Sequence, residues 1–267
     1  MNQIIGFFGG DSQVGTTMIA WSFATRLAER GSRVLLLFGS GNDDRAFVPA
    51  GHGQSIDGLK AGLRSGRVDR QDLMESLEQK KNLWLLPGVR NPFKADEFLE
   101  DTFQILLDGL EDTFDFVVID GGSSAQRGLT LSALQICTQR YIVITQQAKT
   151  IHRYMQWKKQ FLEPQGFDGK LMLNQHRKDP SLFLKKDVSK LAESEIEAVI
   201  PYIEGAWQAE MEQKNLLAFS SYGKAIDRLV DTYVSKKKGE GLWKKSFSGS
   251  ARQSDMHLNE NGKKPMI

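Results

Sequence analysis

The sequence predicts an α/β protein: a doubly wound, mostly parallel sheet of about seven strands with helices on both faces. Three observations predict it. Short, continuous Val/Ile/Leu runs recur through residues 1–234, and each ends in a turn signal, as strands covered on both faces do. Segments of helical period separate these runs, the alternation expected of parallel strands joined by crossover helices. The first strand and first helix are joined by a glycine-rich pattern, Gly10-Asp11-Ser12-Gln13-Val14-Gly15-Thr16-Thr17, which has the spacing of a phosphate-binding loop.

The elements follow in order. Gln3-Ile4-Ile5-Gly6-Phe7-Phe8 is a buried strand broken by Gly9-Gly10. From Thr16, Ala20, Phe23, Ala24, Leu27 and Ala28 recur at helical spacing, Arg26 and Arg30 load the last turns, and Gly31 supplies the stop. Further strands are expected at 33–38, at 82–86 before Pro87-Gly88, at 115–120 before Gly121-Gly122, and at 141–145, 170–174 and 198–201. Helical periodicity is clearest over 95–110 and 150–163, and a helix over 216–233 closes the domain at residue 234. Residues 235–249 read as a basic amphipathic segment. Residues 250–267 read as a disordered tail, too poor in apolar residues to offset the entropy of ordering.

The loop between the first strand and helix carries the chemistry. Its glycines let backbone N–H groups approach a phosphate at a helix N-terminus, and the Thr17 hydroxyl stands where a magnesium ligand is expected. The pattern G-x-x-x-x-G-K-[ST] requires lysine at the position of Thr16, so the side chain that neutralises the β/γ-phosphates is missing. A plain strand-to-helix turn is the alternative, since a chain with 25 glycines makes such spacings by chance; the strand, loop, helix order favours phosphate binding. Asp120 ends an apolar strand, where a fixed carboxylate orders magnesium and its waters. Aspartate before Gly-Gly is also a common turn device.

Composition narrows the classes. A chain of 267 residues, 40% hydrophobic, buries one substantial core. Its net charge of +2 is unevenly spread: residues 235–267 hold seven Lys and one Arg against three acids, which leaves +5 there and −3 in the body. The body therefore has no basic field for nucleic acid, and no specific nucleic acid is expected as a partner. The lone Cys137 gives no disulfide framework, and a reducing cytoplasm suits it. His52, His152, His176 and His257 stand apart without metal-site spacing, no G-x-S-x-G elbow occurs, and no apolar window reaches the length of a spanning helix.

Over roughly residues 1–234, the chain resembles the MinD/ParA family of P-loop ATPases. The loop at 11–18 is similar to the family's K-G-G-x-G-K-T-[ST], and Phe114-Asp115-Phe116-Val117-Val118-Ile119-Asp120 to its Walker B strand. Asn82-Leu83-Trp84-Leu85-Leu86-Pro87-Gly88 resembles its "nL-x-vLPg" strand, Leu171-Met172-Leu173-Asn174 its "g-v-v-l-N" strand, and Ile200-Pro201-Tyr202 its "i-P-y-d" turn. The resemblance implies a nucleotide pocket with magnesium at Thr17 and Asp120, phosphates on residues 10–17, and the adenine near Asn174 and Pro201. It implies ATP or ADP as ligand, a homodimer, protein partners, and a place in the cytoplasm, peripheral at the inner face of the cell membrane.

Departures from the family pattern fall on catalytic positions. Asp11 occupies the signature-lysine position and Thr16 the ordinary lysine position. The strand that ends in D-x-D in the family here reads Phe38-Gly39-Ser40, and Asp43 or Asp44 substitutes only if its loop folds back toward the site. Each lost lysine removes a charge-assisted contact of roughly 1.5–3 kcal/mol, and Asp11 adds repulsion. The expectation is a degenerate ATPase with weak nucleotide binding, resembling the CpaE/TadZ pilus-assembly branch and placing an envelope machine such as a pilus or secretion system. The alternative is an active ATPase in division, partition or flagellar placement. A dimer, on either reading, depends less on ATP, because Asp11 cannot reach a partner's phosphates as a lysine does.

In the tail, Lys236-Lys237-Lys238 and Lys244-Lys245 accompany Leu242, Trp243 and Phe247. Basic charge interleaved with large apolar side chains is a membrane-surface pattern and is similar to the C-terminal segment of MinD-type proteins. A solvated tail whose tryptophan packs on protein is the other reading; Gly239, Gly241 and Gly249 weaken a helix there.

Overall fold

The computed structural model describes residues 3–46, 48, 49, 54–108, 110, 112–123 and 127–248, with side chains described through residue 234 apart from Ala46. Its sheet has eight strands: β1 (Gln3–Gly9), β2 (Val34–Phe38), β3 (Glu78–Lys80), β4 (Leu83–Leu86), β5 (Phe116–Asp120), β6 (Gln139–Ile144), β7 (Lys170–His176) and β8 (Ile196–Pro201). They lie in the order β3-β4-β2-β5-β1-β6-β7-β8, all parallel except the β3–β4 pair. The expected seven are present. The eighth, β3, is three polar residues paired on one side only, so no hydrophobic run announces it.

Side chains alternate between the two faces of each strand, and both faces are buried. Phe8, Leu35, Leu37, Val117, Ile119, Ile142 and Ile144 share one core cluster with Phe103 and Leu106 of α4 (Thr102–Leu107), Leu129 of α5 (Gly128–Ile136) and Ile151 of α6 (Ala148–Trp157). On the other face Phe7 stacks on Tyr141 and meets Phe23 of α1 (Thr16–Glu29) edge-on, both at 5.3 Å between ring centroids. Short helices α2 (Lys60–Arg64) and α3 (Arg70–Ser76) lead into β3, α7 (Lys185–Leu191) and α8 (Ala206–Met211) flank β8, and α9 (Ser220–Ser248) ends the described chain.

Three helical expectations are corrected. The 95–110 stretch is a 3-10 turn, Pro92–Glu97, then α4; Phe98 turns extended (ψ 132) between them and enters the core, and the Leu99 carbonyl accepts the Thr102 hydroxyl to start the new helix. The 150–163 stretch is α6 running into a wide π-type turn, Lys158–Leu162, that buries Leu162. The 216–233 stretch is a 3-10 turn, Leu216–Ala218, then α9, which continues to Ser248 through Gly239 and Gly241. Cys137 is buried, and burial pushes its thiol up to about 12, in keeping with a small hydrophobe. Contacts divide the chain into Met1–Val230 and Asp231–Ile267. Residues 249–267, which include the expected disordered tail, lie outside the described residues.

Candidate functional site

Parallel sheets bind ligands where loops leave the carboxyl ends of strands on either side of a reversal in strand order. Here β1 sits between β5 and β6, while the chain leaves β1 through α1 to reach β2 beyond β5. The loops after β1, β2 and β5 thus meet at one edge. Gly39 N–H donates to the Asp120 carbonyl (2.7 Å), Gly9 N–H to that of Gly122 (2.8 Å) and Gly121 N–H to that of Phe7 (2.8 Å). A cleft of about 940 Å³ opens there, lined by residues 11–18 together with Ser40, Asp44, Asp120, Arg127, Asn174 and Pro201 among others.

The phosphate loop is tied down at its centre. Gln13 (φ 59) and Gly15 (φ 84) adopt left-handed conformations, part of the backbone pattern that turns successive N–H groups toward one concave side. Asn174 Nδ2 donates to the Val14 carbonyl at 2.7 Å, and a Cβ on Gly15 would approach that same nitrogen to 2.5 Å. Gly15 is therefore fixed both by φ and by close approach. The Thr17 hydroxyl donates to Asp120 Oδ2 at 2.5 Å, and Asp120 is fully buried. Burial raises the Asp120 pKa to about 6, against the lowering effect of Thr17 and of the Gly122 N–H.

The loop after β2 folds back. Asp44 is 4% exposed; Ser40 Oγ lies 3.2 Å from its Oδ1 and donates to it, while Asp43 is diverted into a bidentate pair with Arg45. Burial, then the neighbouring charge of Asp120, holds the Asp44 pKa well above the usual carboxylate value. The condition for a substitute carboxylate is met by Asp44 and not by Asp43, with Ser40 acting as its hydrogen-bond donor. Two buried carboxyls and a hydroxyl make a hard-oxygen set, which suits magnesium completed by water and phosphate oxygens. Among the described residues, no group of three or more His, Cys, Asp or Glu could hold a metal by itself.

Asp11 corrects an expectation. Its carboxylate, 6% exposed, is turned onto α6, where Arg153 Nη1 donates to Oδ1, Lys149 Nζ lies 3.9 Å from Oδ2, and Ser12 N–H donates at 2.7 Å. Burial alone would raise the Asp11 pKa; the Arg153 hydrogen bond, the Ser12 N–H and the two cations outweigh it and hold the carboxyl below its usual value. The expected repulsion is thus largely compensated within the chain. Thr16 is buried at the loop, and the only cation among the described residues lining the cleft is Arg127, which no sequence motif marks. Its Nη1 donates to the carbonyls of Ser40 (3.2 Å) and Gly41 (2.8 Å). At the far end Pro201, Tyr202, Ile203, Trp207, Leu216 and Tyr222 form a wall of apolar and aromatic character. Leu242, Trp243, Lys244, Lys245 and Phe247 fall within α9, but their side chains are outside the described set.

The fold is that of the ParA/MinD ATPases. The chain is similar to a ParA family ATPase from Chlorobium tepidum TLS, with a TM-score of 0.75 and 20% identity over 86% of this chain and 99% of that one. It is also similar to the septum site-determining protein MinD complexed with Mg-ADP from Pyrococcus horikoshii OT3 (TM-score 0.65, 18% identity, 87% and 96% covered). A third is a putative plasmid partition protein from Borrelia burgdorferi B31 bound to AMPPNP (TM-score 0.64, 16% identity, 88% and 100% covered). No family model matches the sequence, and no curated protein does. At these identities the likeness is one of fold.

Proposed function

We propose that the cleft binds ATP or ADP with magnesium weakly, that turnover is low or absent, and that the protein acts as a positioning or assembly factor for an envelope machine. The bound neighbours with Mg-ADP and AMPPNP support the ligand class. The observation that carries the reading is the pairing of Asp11 with Arg153 and Lys149. The position that bears the family's signature lysine instead holds a carboxylate committed to its own α6, and Thr16 offers no charge. Thr17, Asp44 and Asp120 would hold magnesium, the loop N–H groups and Thr17 would face phosphates, and Asn174 with Pro201 would border the base. Magnesium supplies charge neutralisation when bound. The protein's part is to orient the phosphates, and it has little with which to stabilise charge developing on a transferred phosphoryl group. The CpaE/TadZ branch is the functional model this resembles most.

A second reading, an active ATPase, is favoured by one observation: Asp44 brings a carboxylate back beside Asp120. Calorimetry with Mg–ATP and phosphate-release kinetics separate the two. Loss of two lysine contacts lowers affinity by about 10²–10⁴-fold relative to an intact site, with turnover near background. Turnover comparable to ordinary members of the fold group, abolished by Asp44→Asn, would establish the second reading and overturn the first.

A further inference from the structure

We propose that Arg127 is the phosphate-binding cation of the cleft, supplying from the start of α5 the charge that the loop has lost. The inference rests on the nucleotide reading above and names the residue on which it depends. Asp44, Asp120 and Glu210 line the cleft, as does Asp11, whose charge Arg153 and Lys149 already answer, and Arg127 is the only described cation among its walls. A polyphosphate entering such a site meets an excess of negative charge. Magnesium offsets part of it, and a guanidinium offsets more in the geometry suited to phosphate oxygens.

The position of Arg127 fits that task. It precedes α5, at the end of the loop that begins at Asp120. Ser123, shortly after Asp120, packs on the start of the phosphate loop: a Cβ on Gly9 would lie 3.0 Å from both the Ser123 Cβ and the Thr16 Oγ1. The end of β5 thus supplies a carboxylate for magnesium and the start of α5 a guanidinium, both lining the one cleft. Arg127 has no carboxylate partner among the described residues. Both of its hydrogen bonds use Nη1 and go to the neutral carbonyls of Ser40 and Gly41. Carbonyl oxygens are weaker acceptors for a guanidinium than phosphate oxygens, so the exchange is favourable. Gly41 takes a left-handed φ of +73 and lies directly against the guanidinium, so that a Cβ there would collide with Nη1.

The test is calorimetric titration of the full chain and of Arg127→Ala, Arg127→Gln and Arg127→Lys with Mg–ATP, Mg–ADP and AMP, with thermal unfolding recorded for each variant. The expected result is a graded loss for the Ala and Gln variants. ATP affinity falls ten-fold or more, ADP affinity falls less and AMP affinity within two-fold, while Arg127→Lys recovers part of the ATP affinity. A residue that only fastens residues 40–41 weakens all three ligands alike, so equal losses overturn the proposal. So does unchanged ATP affinity in variants that remain folded. If the unsubstituted protein binds none of the three nucleotides, the functional reading itself falls, an outcome distinct from failure of Arg127 alone.

Discussion

Asp120 and Asp44 are two almost fully buried carboxyls, and the charge of Asp120 raises the proton affinity of Asp44. The consequence for stability has a definite sign. Burial pushes the Asp120 carboxyl from its ordinary 3.8 up to about 6, so the folded chain holds its proton more tightly than the unfolded chain does. In magnesium-free solution this group therefore favours folding below about pH 4, and its contribution is lost as pH rises through 6. A shift of this size amounts to roughly 2–3 kcal/mol of penalty at pH 7.5. Asp120→Asn removes the charge while keeping an acceptor for Thr17. Urea unfolding without magnesium should find the variant more stable than the parent by about 1–2 kcal/mol at pH 7.5, with the difference shrinking toward zero at pH 4. A gain that does not change with pH would contradict the buried-charge account. Comparing variant with parent at each pH cancels the titration of acids remote from the site; Asp44, whose proton the Asp120 charge helps to hold, titrates lower in the variant and adds to the gain in the same direction.

At the scale of elements, the loop between β2 and the 3-10 turn Asp44–Ala46 decides whether the second carboxylate exists. It is held from three sides: Arg127 bonds the carbonyls of Ser40 and Gly41, Ser40 Oγ bonds Asp44, and Gly88, beyond β4, leaves room beneath. A Cβ on Gly88 would sit 2.7 Å from Asp44 Oδ2 and 2.9 Å from the Asn42 carbonyl, both too close. Gly88→Ala is expected to push the loop outward, with a loss of about 1–3 kcal/mol and a rise in the Mg²⁺ concentration needed for nucleotide binding. Unchanged stability and Mg²⁺ dependence would mean that the loop yields freely. Local signals made the strands legible: β2 and β5 are continuous apolar runs, and Gly15, Thr17 and Asp120 fall in a fixed motif or at a strand end. The loop was not legible, because the return of Asp44 depends on Arg127 and Gly88, each far from it in sequence. Asp11 shows the same limit. Its identity revealed a missing lysine, but only the packing of α6 showed that Arg153 answers its charge. β3 and the break before α4 escaped for the related reason that tertiary pairing and burial of Phe98 fixed them.

At the scale of the whole molecule, charge is segregated along the chain: the net +2 combines a body at −3 with residues 235–267 at +5. An acidic body and an anionic membrane surface are the two competing partners for such a tail, and the expected one is the membrane. α9 runs to Ser248, so Gly239 and Gly241, which weaken a helix, lie within one. On a helix, positions 242, 243 and 247 share one side, where Leu and Trp precede Phe, and five lysines lie in the same stretch. Each lysine near an anionic surface contributes about 1 kcal/mol, and insertion of the three apolar side chains adds to it. A short apolar face gives reversible attachment, so binding should need both components. Sedimentation with liposomes containing about a third phosphatidylserine should pull down the full chain and release it as salt screens the lysines. Neutral phosphatidylcholine liposomes should retain little. A chain ending at Val234 should bind neither, and the double substitution Trp243→Ala, Phe247→Ala should weaken binding without altering its salt dependence. Equal sedimentation of the full and shortened chains would remove the membrane from the functional reading and leave the tail as a solvated or protein-binding segment.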